Sequence, residues 1–528
     1  MASTHHTPRH HEDEGDDAIM AETTPLLTSS PAAGGGDPDE TKPLLSSTSS
    51  SPSSLSTPSS SSSHSPQTPP PAQSKPLPKT QILLLCYARL VEPIAFFSIF
   101  PYINQMVLSN SPGLAESSMG FYSGLIESLF SLTQMSVMIL WGLLADRVGR
   151  KPVLVSSLSG VVVATAAFGF AKSIPQMVLF RCFAGVFAGS IVTIRTMISE
   201  LSTKQTQATA FSWFAVAGNI GIFIGPLIGG ALADPAVQYP RVFAGVYFFE
   251  KFPYALSSIA VAVTGSTAVV TTALFVEETL PRNSPKPTST SPSTSTPTPN
   301  DPSPSSPPST LSLLSSPGVP IVLYNYAHVM LLAFAYTAVV PVFWATSIPL
   351  GGLSLSYLQI SLFMALTGLS QAIWLLFIFP PLQHTLGTNG VMRTCGIAYP
   401  FFLAAMPLLN AVLRAHTPAG DITFWILAPT FLTFGPGVSM AFTAAQLALN
   451  DVSPSHETLG MLNALALTLS SGLRSFSPAL FASLFAVGAG SQFFYGYLVW
   501  IVLVLLALGF TVSTRYLPET SEEPPERE

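Results

Sequence analysis

About twenty consecutive apolar residues are needed to cross the ~30 Å hydrocarbon layer of a bilayer, and this chain supplies such runs again and again. They fall at roughly 82–108, 120–141, 152–171, 175–199, 209–232 and 254–276, then at roughly 320–345, 356–379, 394–413, 422–449, 459–487 and 491–514. Backbone amides inside a bilayer find no water, so each run is committed to a helix whose hydrogen bonds close within itself. Pro281 to Pro317, dominated by Ser, Thr and Pro, separates the two sets of six and buries too little to fold. The expected fold class is all-α: a polytopic membrane protein with twelve transmembrane helices in two six-helix bundles, residues 81–280 and 319–516. Residues 1–80 read as a disordered cytoplasmic tail, 281–318 as a disordered cytoplasmic linker and 517–528 as a short cytoplasmic tail.

Only 9% of the 528 residues are charged, and mean hydropathy is +0.47 although the first eighty residues are almost wholly polar. The net charge of -6 comes partly from Glu12 to Asp17 and Glu519 to Glu528; it is a solvation feature and does not argue for nucleic acid. Apolar residues first gather near Gln81, too late for a cleavable signal, so the first span serves as its own insertion signal. Cys86, Cys182 and Cys395 all stand in apolar runs, where packing is the ordinary role. No nucleophile–base or metal-ligand constellation occurs in the polar segments, so no enzyme, metal or cofactor is expected. Lys75, Lys79, Arg147, Arg150, Lys151, Lys204, Arg282, Lys286, Arg393 and Arg515 fall on one side, against Lys172, Arg241, Lys251 and Arg414 on the other. That excess of positive charge predicts cytoplasmic termini.

Trp141 to Pro152 reads W-G-L-L-A-D-R-V-G-R-K-P, a charged hairpin between two apolar runs. Gly142 and Gly149 let backbones approach, while Arg147, Arg150 and Lys151 hold the loop inside and Asp146 is left for another task. The segment resembles the signature loop G-x-x-x-D-R-x-G-R-[RK] between helices 2 and 3 of major facilitator superfamily transporters, with every defined position filled. The resemblance extends over nearly all of Gln81 to Pro518. It implies that Asp146 faces the start of helix 11 and that Arg150 pairs with Glu200 at the cytoplasmic end of helix 4, latching an outward-open state. The second-half counterpart, Pro381 to Arg393, has lost these charges, so no strong second latch is expected. The halves still echo each other, in E-E-T-L-P at Glu277 to Pro281 against R-Y-L-P-E-T at Arg515 to Thr520, and in Gly225–Pro226 against Ser477–Pro478.

The fifth span carries Ser212, Gly221, Gly225, Pro226, Gly229 and Gly230, with Gly218 extending the four-residue spacing. One helical face is bare of side chains, so a neighbouring helix can pack on the backbone, and Pro226 is placed to bend it. Ordinary small-residue packing would account for the spacing. The whole S-x8-G-x3-G-P-x2-G-G pattern also resembles the antiporter signature of proton-coupled drug exporters and of the plant zinc-induced-facilitator-like group. A-R-L-V-E-P in the first span and L-G-M-L-N-A-L-A opening the eleventh are similar to a fungal branch near that group. The C-P-G-C-type motif of the plant members is missing, which leaves zinc or a zinc chelator in doubt as substrate.

Arg181 and Gly185 match the superfamily's R-x-x-x-G element on helix 4, whose arginine is associated with proton coupling. An arginine inside a span costs ~2.5–3.5 kcal/mol unless paired or wet, and Glu127 in the second span, at a similar depth of ~9–10 Å, is the candidate partner. The pair reads either as a structural ion pair or as a proton site. Arg89 and Glu92, three residues apart, can bridge locally, leaving Arg195 without an obvious mate; alternatively the three form a cavity cluster that binds an anionic group or relays protons. Arg474 is a candidate for lining the cavity. Tyr324, Asn325 and His328 with Tyr326 make a polar aromatic group suited either to packing or to a substrate pocket, and Gln446 and Asn463 have similar standing.

The tail contains E-T-T-P-L-L and E-T-K-P-L-L, which match the acidic dileucine pattern at Glu22, Leu26 and Leu27 and at Glu40, Leu44 and Leu45. Sorting adaptors read such motifs, which points to a vacuolar membrane as an alternative to the plasma membrane. The whole reading is a monomeric secondary transporter for a small organic molecule, driven by a proton gradient in antiport. A uniporter or symporter of the same fold, or a transporter-like nutrient sensor, is the alternative.

Overall fold

The computed structural model describes residues 77–203, 206–280, 313–453 and 456–518. The two dileucine motifs, Glu22 to Leu27 and Glu40 to Leu45, lie outside the described residues. Among those described, eleven helical segments are long and apolar enough to cross a membrane. One of them, Tyr357–Arg414, has 58 residues, or ~87 Å at 1.5 Å per residue, nearly three hydrocarbon thicknesses. Its backbone departs from helical geometry at Gly387 (φ 68°, ψ 169°). Asn410, near its end, donates to the Ile348 carbonyl just ahead of its start at 3.1 Å. Both ends therefore lie on one side, and the segment is a hairpin of two crossings.

The spanning helices are α1 Lys79–Phe97, α2 Met119–Val148, α3 Arg150–Phe168, α4 Ile174–Leu201, α5 Gln207–Ala231 and α6 Ala255–Phe275. They continue as α7 Val319–Ala345, α8 357–386, α9 388–414, α10 Pro418–Asp451, α11 His456–Ser491 and α12 Leu498–Ser513. Alternate crossings put the start of α1 and the end of α12 on one face, called here the terminus side. Described residues resume at Leu313, inside the segment read as a disordered linker, and its side chain is buried. Leu313 belongs to the same buried apolar cluster as Val319, so this end of the segment packs with α7.

In the first half α1 packs on α5, α3 on α6 and α2 on α4; in the second, α7 packs on α11 and α9 on α12. The halves meet chiefly where α2 lies on α11 and α5 on α8. The glycine face of α5 receives α1: side chains added at Gly221 and Gly225 would meet Pro93 and Leu90, and the Ile94 carbonyl, within about 3 Å, and one at Gly229 would strike Ser98. Gly230, on the opposite side of α5, abuts Tyr357 and Ser361 of α8 instead. The α5 helix runs on through Pro226 from Gln207 to Ala231.

Candidate functional site

On the side away from the termini the two halves are sealed by backbone contact. A side chain at Gly124 of α2 would lie 2.5 Å from the Pro478 carbonyl and 2.7 Å from Cβ of Ala482, and one at Gly120 would lie 2.8 Å from the Ala482 carbonyl. Pro478 interrupts the hydrogen-bond ladder of α11, and the Ala479 N–H beside it donates to Ser128 Oγ of α2 at 2.8 Å. The Ser347 N–H donates to Glu116 at 2.6 Å, and the Tyr254 and Tyr357 hydroxyls meet at 3.5 Å. On the terminus side Arg195 and Asp146 are exposed.

Halfway across, α4 breaks: Ile174–Phe187 ends, Ala188 and Gly189 leave helical geometry, and Ser190–Leu201 begins. The break strands three carbonyls, and each finds a side chain. Trp141 Nε1 donates to Val186 O at 2.6 Å, Ser157 Oγ to Phe187 O at 2.5 Å, and Gln134 Nε2 to Ala188 O at 2.9 Å. The same Gln134 amide donates to Glu92 at 2.5 Å, and Ser190, opening the second half-helix, donates to the other Glu92 oxygen at 2.9 Å. Glu92 is thus buried and held by α2 and α4. It forms no local bridge to Arg89, whose guanidinium lies on the Phe214 ring of α5 instead, and it sits where the N-terminus of the second half-helix favours negative charge.

Arg89 turns to α5, its guanidinium 5.1 Å from the Phe214 ring centroid, and Arg195 approaches the same ring at 5.5 Å. Arg89 Nε has no hydrogen-bond partner. Across from Arg195 stands the Tyr326 hydroxyl of α7, beside Ser470 of α11. A second group repeats the pattern nearer the seal. Arg181 lies 4.7 Å from the Phe130 ring, 5.3 Å from Phe96 and 5.8 Å from Phe168, and Arg474 covers Phe96 at 4.6 Å. Two rings are therefore each flanked by two arginines, and cation–π attraction worth up to ~2 kcal/mol when desolvated replaces direct ion pairing. Buried Glu127 has Arg474 and Arg181 as its charged neighbours. The ion pair with Arg181 expected from sequence does not close to within 4.0 Å: Arg181 reaches the Phe96 carbonyl at 3.4 Å and its Nε is unpartnered.

The charged hairpin forms a network within the first half. Arg150 donates to Asp146 and, through Nη2 at 3.0 Å, to Glu200. Glu200 also accepts from Thr279 at 2.5 Å. Gly149 takes φ 121°, a conformation only glycine adopts readily, and this turns the N–H groups of Arg150 and Lys151 onto Glu278 at 2.8 and 3.1 Å. Burial works against the charge of Glu278, but the N–H groups of Leu280, Arg150 and Lys151 outweigh it and hold the carboxyl below its usual range. Asp146 bonds back to Arg150 with its side chain 61% exposed. Arg147 is exposed, and Gly142 would accept a Cβ at 3.8 Å from Val192. In the worn second-half turn, Gly387 keeps positive φ, Asn389 donates to the Pro518 carbonyl at 2.6 Å and Arg393 to Thr514 O at 3.3 Å. The tie from hairpin to closing helix persists with a backbone acceptor in place of an acid.

The structure does not bring Asn325 and His328 to the crevice. Asn325 exchanges hydrogen bonds with Ser513, and His328 Nε2 meets the Leu506 carbonyl at 2.9 Å, so both tie α7 to α12. Tyr324, one turn before His328, edges onto that ring and is 52% exposed on the outer surface. The neighbouring position, Tyr326, faces the other half instead. Gln446 donates to Asn463 at 2.9 Å and Asn463 to Asn450 at 3.3 Å, a carboxamide ladder between α10 and α11. Ser212 is half-buried on the terminus-side end of α5. Sequence reasoning missed Gln134, Ser190, Phe96, Phe214 and Glu278; only Glu278 carried a signal, in the repeated E-E-T-L-P ending.

The sequence model of the Major Facilitator Superfamily matches residues 85–478. An efflux pump of Aspergillus niger, azaK, is 45% identical over 469 residues, covering 87% of this chain and 93% of that protein. Zinc induced facilitator-like 1 of Arabidopsis thaliana is 28% identical over 457 residues, covering 84% and 91%. Among solved structures, a bacterial homologue of the human lysosomal transporter Spinster, inward-facing and unoccupied, superposes with TM-score 0.54 at 14% identity, covering 84% of this chain and 95% of that one; this likeness concerns the fold. A family match over most of the chain and a relative this similar along nearly its whole length lead to one conclusion: the protein belongs to the Major Facilitator Superfamily, as a multi-pass membrane transporter of small molecules and not an enzyme.

Proposed function

We propose that the protein moves a small organic molecule out of the cytoplasm, across the plasma or vacuolar membrane, in exchange for protons. The two halves, 81–280 and 319–516, rock about the crevice, with both termini cytoplasmic, a reading that the excess of loop Lys and Arg on the terminus side supports. In that orientation the glycine seal between α2 and α11 closes the outer side, and exposed Arg195 belongs to an inward-open crevice. The observation that carries the proton step is the pair of buried acids, Glu92 and Glu127, set among four arginines without a direct ion pair. A carboxylate whose charged neighbours change as the halves move gains and loses a proton with that motion. Arg150, Glu200 and Asp146 brace the cytoplasmic ends of α2 to α4, and Asp146, still exposed, is free to engage α11 when that side closes. Export accords with the printed description of the Aspergillus niger relative as an efflux pump.

The test is a substrate screen in sealed vesicles with and without an imposed pH gradient. Gradient-driven accumulation that is lost in Glu92→Gln or Glu127→Gln supports the reading. Accumulation of every transported compound independent of the gradient overturns antiport.

A further inference from the structure

We infer that the transported molecule is an organic anion whose charged group docks between Arg89 and Arg195, an assignment of substrate class that rests on the transport reading above. The crevice holds Arg89, Arg181, Arg195 and Arg474 against Glu92 and Glu127, so even with both acids ionised it carries two uncompensated positive charges. The surplus is concentrated at one place. Arg181 and Arg474 both have Glu127 as a charged neighbour and Arg89 has Glu92, whereas Arg195 has no acid beside it among the described residues and faces Arg89 across the Phe214 ring they share. Glu92 makes no direct ion pair with Arg89, its oxygens accepting from the neutral Gln134 and Ser190, so neither of the facing guanidiniums is directly bridged. Arg89 is half-buried, with Gly218 beside its Nη2, where an added Cβ would lie at 3.5 Å.

Uncompensated charge in a low-dielectric crevice is costly and is neutralised by whatever anion can enter. Arg195 is exposed and therefore reachable, and the Tyr326 and Ser470 hydroxyls across from it come from the other half. A carboxylate there would accept from guanidinium groups of α1 and α4 and hydroxyls of α7 and α11 together, the geometry of a ligand that bridges the moving halves. A cation would meet the same surplus as repulsion.

The experiment uses the full chain in detergent and three probes sharing one ring: benzoate, benzamide and benzylamine. Benzoate should raise the melting temperature saturably, and the other two should not. Arg89→Gln and Arg195→Gln should each weaken the benzoate response at least tenfold, while Arg393→Gln, outside the crevice, keeps it. Because the two arginines repel, Arg195→Gln without ligand should melt no lower than the native chain. No response to benzoate, an equal response to benzylamine, or a benzoate response unaltered by both variants overturns the inference. Vesicles that move only amines along a pH gradient would sink the anion assignment and leave antiport standing; benzoate binding through both arginines with gradient-independent transport would do the reverse.

Discussion

Gly124→Ala tests whether the α2–α11 contact is the outer seal. The new methyl would sit 2.5 Å from the Pro478 carbonyl and 2.7 Å from Cβ of Ala482. Ordinary contact at about 3.4 Å requires the helices to part by about 0.9 Å, and overpacking of this kind costs about 1–3 kcal/mol. The same displacement stretches the Ser128–Ala479 hydrogen bond, now 2.8 Å, to about 3.7 Å, beyond useful length. The cost falls on the sealed state alone, so the equilibrium shifts toward outer opening by about 5- to 150-fold. A cysteine at Ser123, buried beside the seal, reports the change through its reaction rate with a membrane-impermeant maleimide added from the outer side. Ala482→Gly should restore part of the native rate, because one obstacle is removed and the Pro478 carbonyl remains. Labelling within twofold of the native rate, in protein of native melting temperature, would refute the assignment of this contact as the seal.

Glu278→Gln should lower stability by about 1 kcal/mol at pH 7, as loss of a charged helix cap does. The native carboxyl lies below its usual range, so its contribution is present above the unfolded pKa of about 4.3 and is lost as pH falls through the folded value; melting curves of the two proteins should converge only once the pH is below that depressed folded value. Asp146→Asn should impair vesicle transport far more than any single change between Pro381 and Arg393, and comparable losses in both loops would remove the asymmetric latch. Gln134→Leu strands both the Ala188 carbonyl and one oxygen of Glu92, costing about 2–4 kcal/mol, which a drop in melting temperature of several degrees would register.

The spans were legible because hydrocarbon thickness sets a length that composition alone reveals, and the hairpin because its glycines and charges are contiguous. The α5 face was readable for the same reason: its spacing belongs to one helix. What sequence could not supply was the facing of residues between helices. In α7 the polar side chains of residues 324–328 circle one turn, so nothing in the run distinguishes the face that carries Asn325 and His328 toward α12 from the one that carries Tyr326 toward the crevice. Arg89 and Glu92 suggested a local bridge by spacing, yet their partners arrive from α2, α4 and α5, and Phe96 and Phe214 looked like any other apolar residue until two guanidiniums were found on each.

Those shared partners also govern how the chain enters the membrane. Helix α1, made before the other helices of its half, carries Arg89 and Glu92, but the amide and hydroxyl that hold Glu92 come later, on α2 and α4, and the ring that covers Arg89 comes later still, on α5. Until α5 arrives, α1 carries an insertion cost of a few kcal/mol that its own residues do not offset. Biogenesis of the first half is therefore cooperative across five helices, and a nascent chain halted after α1 should slip back toward water where one halted after α5 stays.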